Sequence, residues 1–223
     1  MPLKALILLT LLSRTPHHKD SESWESREAR MELVASGIDA SVAMATCTET
    51  DESFPIPEGC KPIWGGTQKS LAMLLVTQAV SETHLSHRIH DNECDTWECD
   101  SRRVWNKETK AYDFVQQSFS LWQIKHFADI PPAHWAMIEK GRAGTKYAAW
   151  AATRRLASGL TACGSIEGAI ARYTTGGSCK WVKASARFKI YQSLMSADPE
   201  KLVAAKLRHE EEIRSLPAEV ASN

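Results

Sequence analysis

Leu71-Ala72-Met73-Leu74-Leu75-Val76-Thr77-Gln78-Ala79-Val80 runs into Ser81-Glu82-Thr83-His84-Leu85-Ser86, and almost every side chain before Glu82 is apolar. The run reads as a buried helix. Gly65-Gly66 precedes it, and Thr67 is suited to cap its first turn, so the predicted helix spans about Gln68 to Leu85. Glu82 closes this helix. Burial disfavours the charged form of a carboxyl group, and a carboxyl that keeps its proton near neutral pH is what a general acid requires.

Outward from this helix, the first twenty-nine residues divide in two. Lys4 followed by Ala5-Leu6-Ile7-Leu8-Leu9-Thr10-Leu11-Leu12 resembles the charged and apolar regions of a short signal sequence, and it is too short to span a bilayer as a helix. Residues 14–29 are polar and charged and read as a linker. Met31, Val34, Ile38 and Val42 recur at helical spacing, and the Pro- and Gly-rich stretch from Thr46 to Gly66 reads as a loop.

Residues 86–118 are expected to be irregular or to form a small β-like lobe. Helices are predicted over Tyr147 to Gly159, Ser165 to Thr174 and Lys183 to Met195. Beyond Asp198-Pro199 the chain is dominated by charge and reads as a solvent-exposed helix with i,i+4 ion pairs, or as a fraying tail. The organisation is therefore a signal-like segment and linker over 1–29, one domain over 30–195, and a charged helical tail over 196–223. No integral membrane span is expected.

The chain has 223 residues, 43% of them hydrophobic and 24% charged, which is enough apolar material for a real core. Basic and acidic residues balance at 27 each, so the basic footprint of a nucleic-acid binder is missing. Eight tryptophans include Trp97, Trp105 and Trp122 near the candidate site; aromatic faces can stack on sugars, although packing in the core is the ordinary use of Trp. Cys47, Cys60, Cys94, Cys99, Cys163 and Cys179 make an even set with no Cys-x-x-Cys, which favours disulfides, and hence a secreted or periplasmic location, over metal binding. The connectivity is open; its simplest form is local, as Cys47–Cys60, Cys94–Cys99 and Cys163–Cys179.

Two further segments share the order of a known site. Ser120-Leu121-Trp122-Gln123-Ile124 follows the helix, and Ala169-Ile170-Ala171-Arg172-Tyr173-Thr174-Thr175-Gly176-Gly177 comes later. With Glu82-Thr83, they resemble the motifs of the lytic transglycosylase family that also includes goose-type lysozymes. There a helix ends in Glu-Ser, a Gly-Leu-Met-Gln-Ile-like turn lines the cleft, and an Ala-Tyr-Asn-Ala-Gly-like segment follows. The likeness covers about residues 68 to 190. Thr83 stands where the family has Ser, Ser120 and Trp122 where it has Gly and Met, and Thr174 where it has Asn.

The resemblance implies a mainly α, lysozyme-like fold with a small irregular or β-like lobe, stabilised by disulfides. It implies cleavage of peptidoglycan at the β-1,4 bond between N-acetylmuramic acid and N-acetylglucosamine. Glu82 would be the acid and base, Tyr173 would position it, and Thr83, Trp122, Gln123 and Thr174 would contact substrate. No cofactor or metal is implied. A hydrolytic lysozyme of the same fold would need a second carboxylate, for which Asp91, Glu93, Asp95, Glu98 and Asp100 are candidates. His84, His87 and His90 stand close together, but no His-Glu-x-x-His spacing supports a metal site. The departures at Ser120, Trp122 and Thr174 also fit a degenerate module that binds glycan or a partner without cutting.

Overall fold

A computed structural model describes residues 1–14, 22–49, 55–94, 100–125 and 130–215. These residues form helices α1 (Leu3–Leu12), α2 (Trp24–Thr46), α3 (Gln68–Thr83), α4 (His87–Asp91), α5 (Pro132–Ile138), α6 (Thr145–Cys163), α7 (Ile166–Thr175), α8 (Ala184–Met195) and α9 (Pro199–Arg214). Four short strands are β1 (Ser101–Asn106), β2 (Ala111–Gln116), β3 (Ser118–Phe119) and β4 (Ile124–Lys125), paired as two antiparallel ribbons, β1–β2 and β3–β4. The protein is thus mainly helical with a small β lobe where the sequence placed one.

Helix α3 forms where its composition requires. The Thr67 hydroxyl accepts from the Ser70 amide at 3.1 Å, and every residue from Ser70 to Ala79 is buried between α1, α2, α6 and α8. The helix ends two residues short of Leu85, because His84 and Leu85 both take left-handed backbone angles, with φ of 51° and 59°. Arg30 of α2 reaches this end: its guanidinium donates to the Leu85 carbonyl at 3.0 Å and pairs with Glu22 through two further bonds. The end of α3 that carries Glu82 is therefore held from outside the helix.

The stretch expected as a linker to residue 29 already contains the start of α2, capped by Ser23, with Trp24, Arg27 and Arg30 buried. Charged side chains made it read as solvated. Two of them are instead long stems packed inside with their heads on partners: Arg27 donates to the Arg14 carbonyl at 3.2 Å, and Arg30 to Glu22 and Leu85. The signal-like stretch is α1, whose Ile7, Leu11 and Leu12 enter the core beside α2 and α3. Helix α9 packs against α1 and α2 through buried Leu202, while Lys206 pairs with Glu28 at 2.9 Å above the Trp24 ring. The expected i,i+4 pairing also occurs, between Glu210 and Arg214 at 3.2 Å. No described helix is long and apolar enough to cross a membrane.

Cys47–Cys60 ties the end of α2 to the following loop, and Cys163–Cys179 ties the end of α6 to the loop after α7. Cys99 of the third expected pair lies outside the described residues. The bridges are 13 and 16 residues apart in sequence. A loop of that size constrains the unfolded chain by about 3 kcal/mol. Replacing Cys163 and Cys179 together by Ala is expected to lower the melting temperature by roughly 6–12 °C, read by circular dichroism.

Helix α4 buries His90, whose Nε2 lies 2.6 Å from the Thr145 hydroxyl, with Arg30 and Arg142 nearby. Asp91 is bound by Arg142 at 2.8 Å, and Glu22 by Arg30, so neither carboxylate is left to pair with a charged imidazole. Burial first, then the two guanidinium charges, hold the His90 pKa well below its ordinary value. The folded state refuses a proton that the unfolded chain accepts near pH 6.5, so stability falls as the pH drops below about 6.5, by at most about 1.4 kcal/mol per pH unit from this group. Melting curves between pH 7.5 and 5 should show that loss, and His90→Gln should flatten it.

Candidate active site around Glu82

Glu82 sits in the last turn of α3 with 15% of its side chain exposed. Arg187 of α8 donates to its Oε1, and the same guanidinium nitrogen lies 3.0 Å from Gln78 Oε1 and 3.2 Å from Thr174 Oγ1. Gln78 lies one helical turn before Glu82, so both project on one side of α3. Thr174 comes from α7. The Arg187 guanidinium also stands 5.0 Å from the ring of Trp181. Helices α3, α7 and α8 thus meet at one cation, with Glu82 on its outer side. Oε2 is the carboxyl oxygen that Arg187 does not engage.

The turn Ser120-Leu121-Trp122-Gln123 is fixed directly against this helix end. Ser120 and Gln123 have φ of 66° and 48°. The Leu121 carbonyl accepts from the Thr83 hydroxyl at 3.4 Å, and the Trp122 carbonyl from the Tyr173 hydroxyl at 2.7 Å. The Trp122 indole donates to the Leu75 carbonyl at 3.0 Å. Three hydrogen bonds therefore join the three segments that the sequence singled out. Burial, and then the Glu82 carboxylate, push the Tyr173 phenol far above its ordinary pKa, so Tyr173 stays a hydrogen-bond donor.

The predicted site residues separate into two groups. Glu82, Gln123 and Thr174 are partly exposed, and Gln123 donates to the Ser120 carbonyl at 3.4 Å. Thr83, Trp122 and Tyr173 are buried behind them, at 2%, 0% and 3% exposure. Thr83 and Trp122, expected to touch substrate, are enclosed: the Trp122 indole fills the core, and the Thr83 hydroxyl donates to the Ala79 carbonyl at 2.9 Å with the Leu121 carbonyl at 3.4 Å. Tyr173 reaches Glu82 only through its field; its hydroxyl supports the turn.

Arg187 and Gln78 were missed. Arg187 falls on the helix predicted over Lys183 to Met195, where a single arginine beside apolar Phe188, Ile190, Tyr191 and Leu194 gives no sign of a distant partner. Gln78 gave a usable signal: a lone amide four residues before Glu82 in an otherwise apolar run.

Of the alternative carboxylates, Asp91 is engaged by Arg142, Asp100 accepts from Ser118 at 2.7 Å and pairs with Lys125 at 3.0 Å, and Glu93 is exposed after α4. The Ser118 hydroxyl, and then Lys125, hold Asp100 below its ordinary pKa. Asp95 and Glu98 lie outside the described residues. A cavity of about 200 Å³ opens beside the site, lined among others by Ile124, His134, Trp150, Arg154, Arg155 and Arg172. Arg155 links it to the site, with its guanidinium 5.0 Å from the Tyr173 ring.

No family model, curated protein or solved structure matches this chain.

Proposed function

We propose that the protein is a peptidoglycan-cleaving muramidase that works as a lytic transglycosylase, with Glu82 as its single acid and base. The observation that carries this reading is the meeting of three separated segments at the end of α3 that bears Glu82: the 120–124 turn is joined to the 169–177 helix by the Tyr173–Trp122 bond and lies against Thr83, whose hydroxyl stands 3.4 Å from the Leu121 carbonyl. A second observation supports it. Ser120 takes a φ of 66°, the left-handed region that favours glycine, at the position where the resembling family has glycine.

In the proposed reaction, Oε2 of protonated Glu82 gives its proton to the glycosidic oxygen as the bond to the muramyl C1 breaks. The resulting carboxylate takes the proton from the muramyl 6-hydroxyl, whose oxygen bonds to C1 and closes a 1,6-anhydro ring. No water enters. Gln123 and Thr174 border the sugar. The cationic lining of the adjacent cavity suits the carboxylates of a peptide stem. Asp91 and Asp100 are each tied to other partners, whereas Glu93 is exposed, so a hydrolytic lysozyme of the same fold is the alternative outcome that the released products decide.

The Glu82–Arg187 pair favours a second reading, a module of the same fold that binds glycan without cutting. A carboxylate held by a guanidinium is an acceptor, and the acid step needs it as a donor. Sedimentation with insoluble peptidoglycan, scored together with release of soluble fragments, separates the two. Release with turnover supports the muramidase; retention in the pellet without release supports the module.

A further inference from the structure

The β1–β2 ribbon carries a surface that the proposed chemistry does not use. Residues paired across an antiparallel ribbon lie on the same face, so the register Arg103↔Phe114 and Trp105↔Tyr112 puts three aromatic rings and one guanidinium together. Trp105, Tyr112 and Phe114 are 51%, 52% and 54% exposed. The opposite face exposes Val104 and Val115. Of eleven large hydrophobic side chains exposed among the described residues, five lie in this one ribbon, and the three aromatic ones share a face as a patch rather than ordinary scatter.

Charge indicates the occupant. The ribbon and its turn hold Arg102, Arg103, Lys107 and Lys110 against Glu108 and Asp113, in a chain whose overall formal charge is zero. Asp113 is engaged by Asn106 at 2.7 Å. The local excess is positive, and aromatic rings mixed with cations are the composition that settles at a lipid headgroup layer. The rings do not form a flat sugar platform: Trp105 meets Tyr112 edge-on at 69°, and the Arg103 guanidinium covers the Tyr112 ring at 4.2 Å. Apolar side chains on both faces also exceed what stacking on a glycan would use. The outer edges of this two-stranded ribbon carry backbone groups that need water, so the ribbon can lie in the headgroup layer but not enter the hydrocarbon.

We propose that the β1–β2 ribbon is a docking element for anionic lipid surfaces, independent of the chemistry at Glu82. The full chain would be spun down with vesicles of phosphatidylcholine alone, and with vesicles in which roughly a third of the lipid is phosphatidylglycerol. Binding to the anionic vesicles only, weakened by raised salt, is the expected result. Trp105→Ala with Phe114→Ala should weaken it roughly tenfold or more, and so should Arg102→Gln with Lys110→Gln, which leaves the rings in place. Val182→Ser, at a valine 93% exposed elsewhere, should leave it unchanged. Equal binding to both vesicle types, no binding, or binding that survives both double substitutions overturns the proposal. So does retention by insoluble peptidoglycan, instead of lipid, that depends on the same four residues.

Discussion

Glu82→Gln is expected to reduce release of soluble muropeptides by about a hundred- to ten-thousand-fold, the usual contribution of a general acid, while leaving the protein folded. The amide has the shape of the carboxyl group and keeps an oxygen that can accept from Arg187, so the junction of α3, α7 and α8 survives. Arg187 also keeps Gln78 and Thr174 as acceptors. Losing the ionic part of a mostly buried hydrogen bond should cost on the order of 1–2 kcal/mol. Initial rates of muropeptide release, measured well below the melting temperature, separate the chemical effect from that loss. Undiminished release by Glu82→Gln would move the acid to another residue.

Trp122→Ala should act on stability and not on substrate affinity. The indole is fully buried, its N–H satisfies the Leu75 carbonyl of α3, and its own carbonyl receives the Tyr173 hydroxyl. Truncation leaves a cavity at the middle of the core and takes the donor from Leu75, a loss of about 3–5 kcal/mol. Urea unfolding should show the midpoint falling accordingly. A Trp122→Ala protein with unchanged unfolding but weakened retention on peptidoglycan would instead place this side chain in the cleft.

The contrast between these two residues shows what the sequence made legible. Glu82 could be found because a carboxylate that ends an apolar run is conspicuous, and α3 followed from the same run. The segments around Trp122 and Tyr173 could be matched by their order, but order does not say which side of the backbone faces the cleft. Trp122 turned inward because the left-handed backbone at Ser120 and Gln123 turns the chain, which no residue count reveals. Charge misled in the other direction. Arg27 falls in the stretch read as a solvated linker, yet it is buried with its head on the Arg14 carbonyl. Arg30 and Arg187, which the sequence does not single out, are likewise largely enclosed with their heads on a distant carbonyl or carboxylate. Such pairings join positions as far apart as Glu82 and Arg187, and a linear reading has no period with which to find them.

The same enclosure bears on how the site would work. Arg187 fixes the orientation of Glu82 through Oε1, and its own geometry is fixed by Gln78, Thr174 and Trp181. In the proposed mechanism this leaves Oε2 as the proton-carrying oxygen, supported from behind by a turn that Tyr173 and Thr83 hold in place.

Mass spectrometry of the soluble products that the wild-type protein releases from purified peptidoglycan tests the muramidase reading most directly. Fragments ending in 1,6-anhydro-N-acetylmuramic acid are predicted. Reducing ends alone, or no fragments from protein that is demonstrably folded, would contradict it.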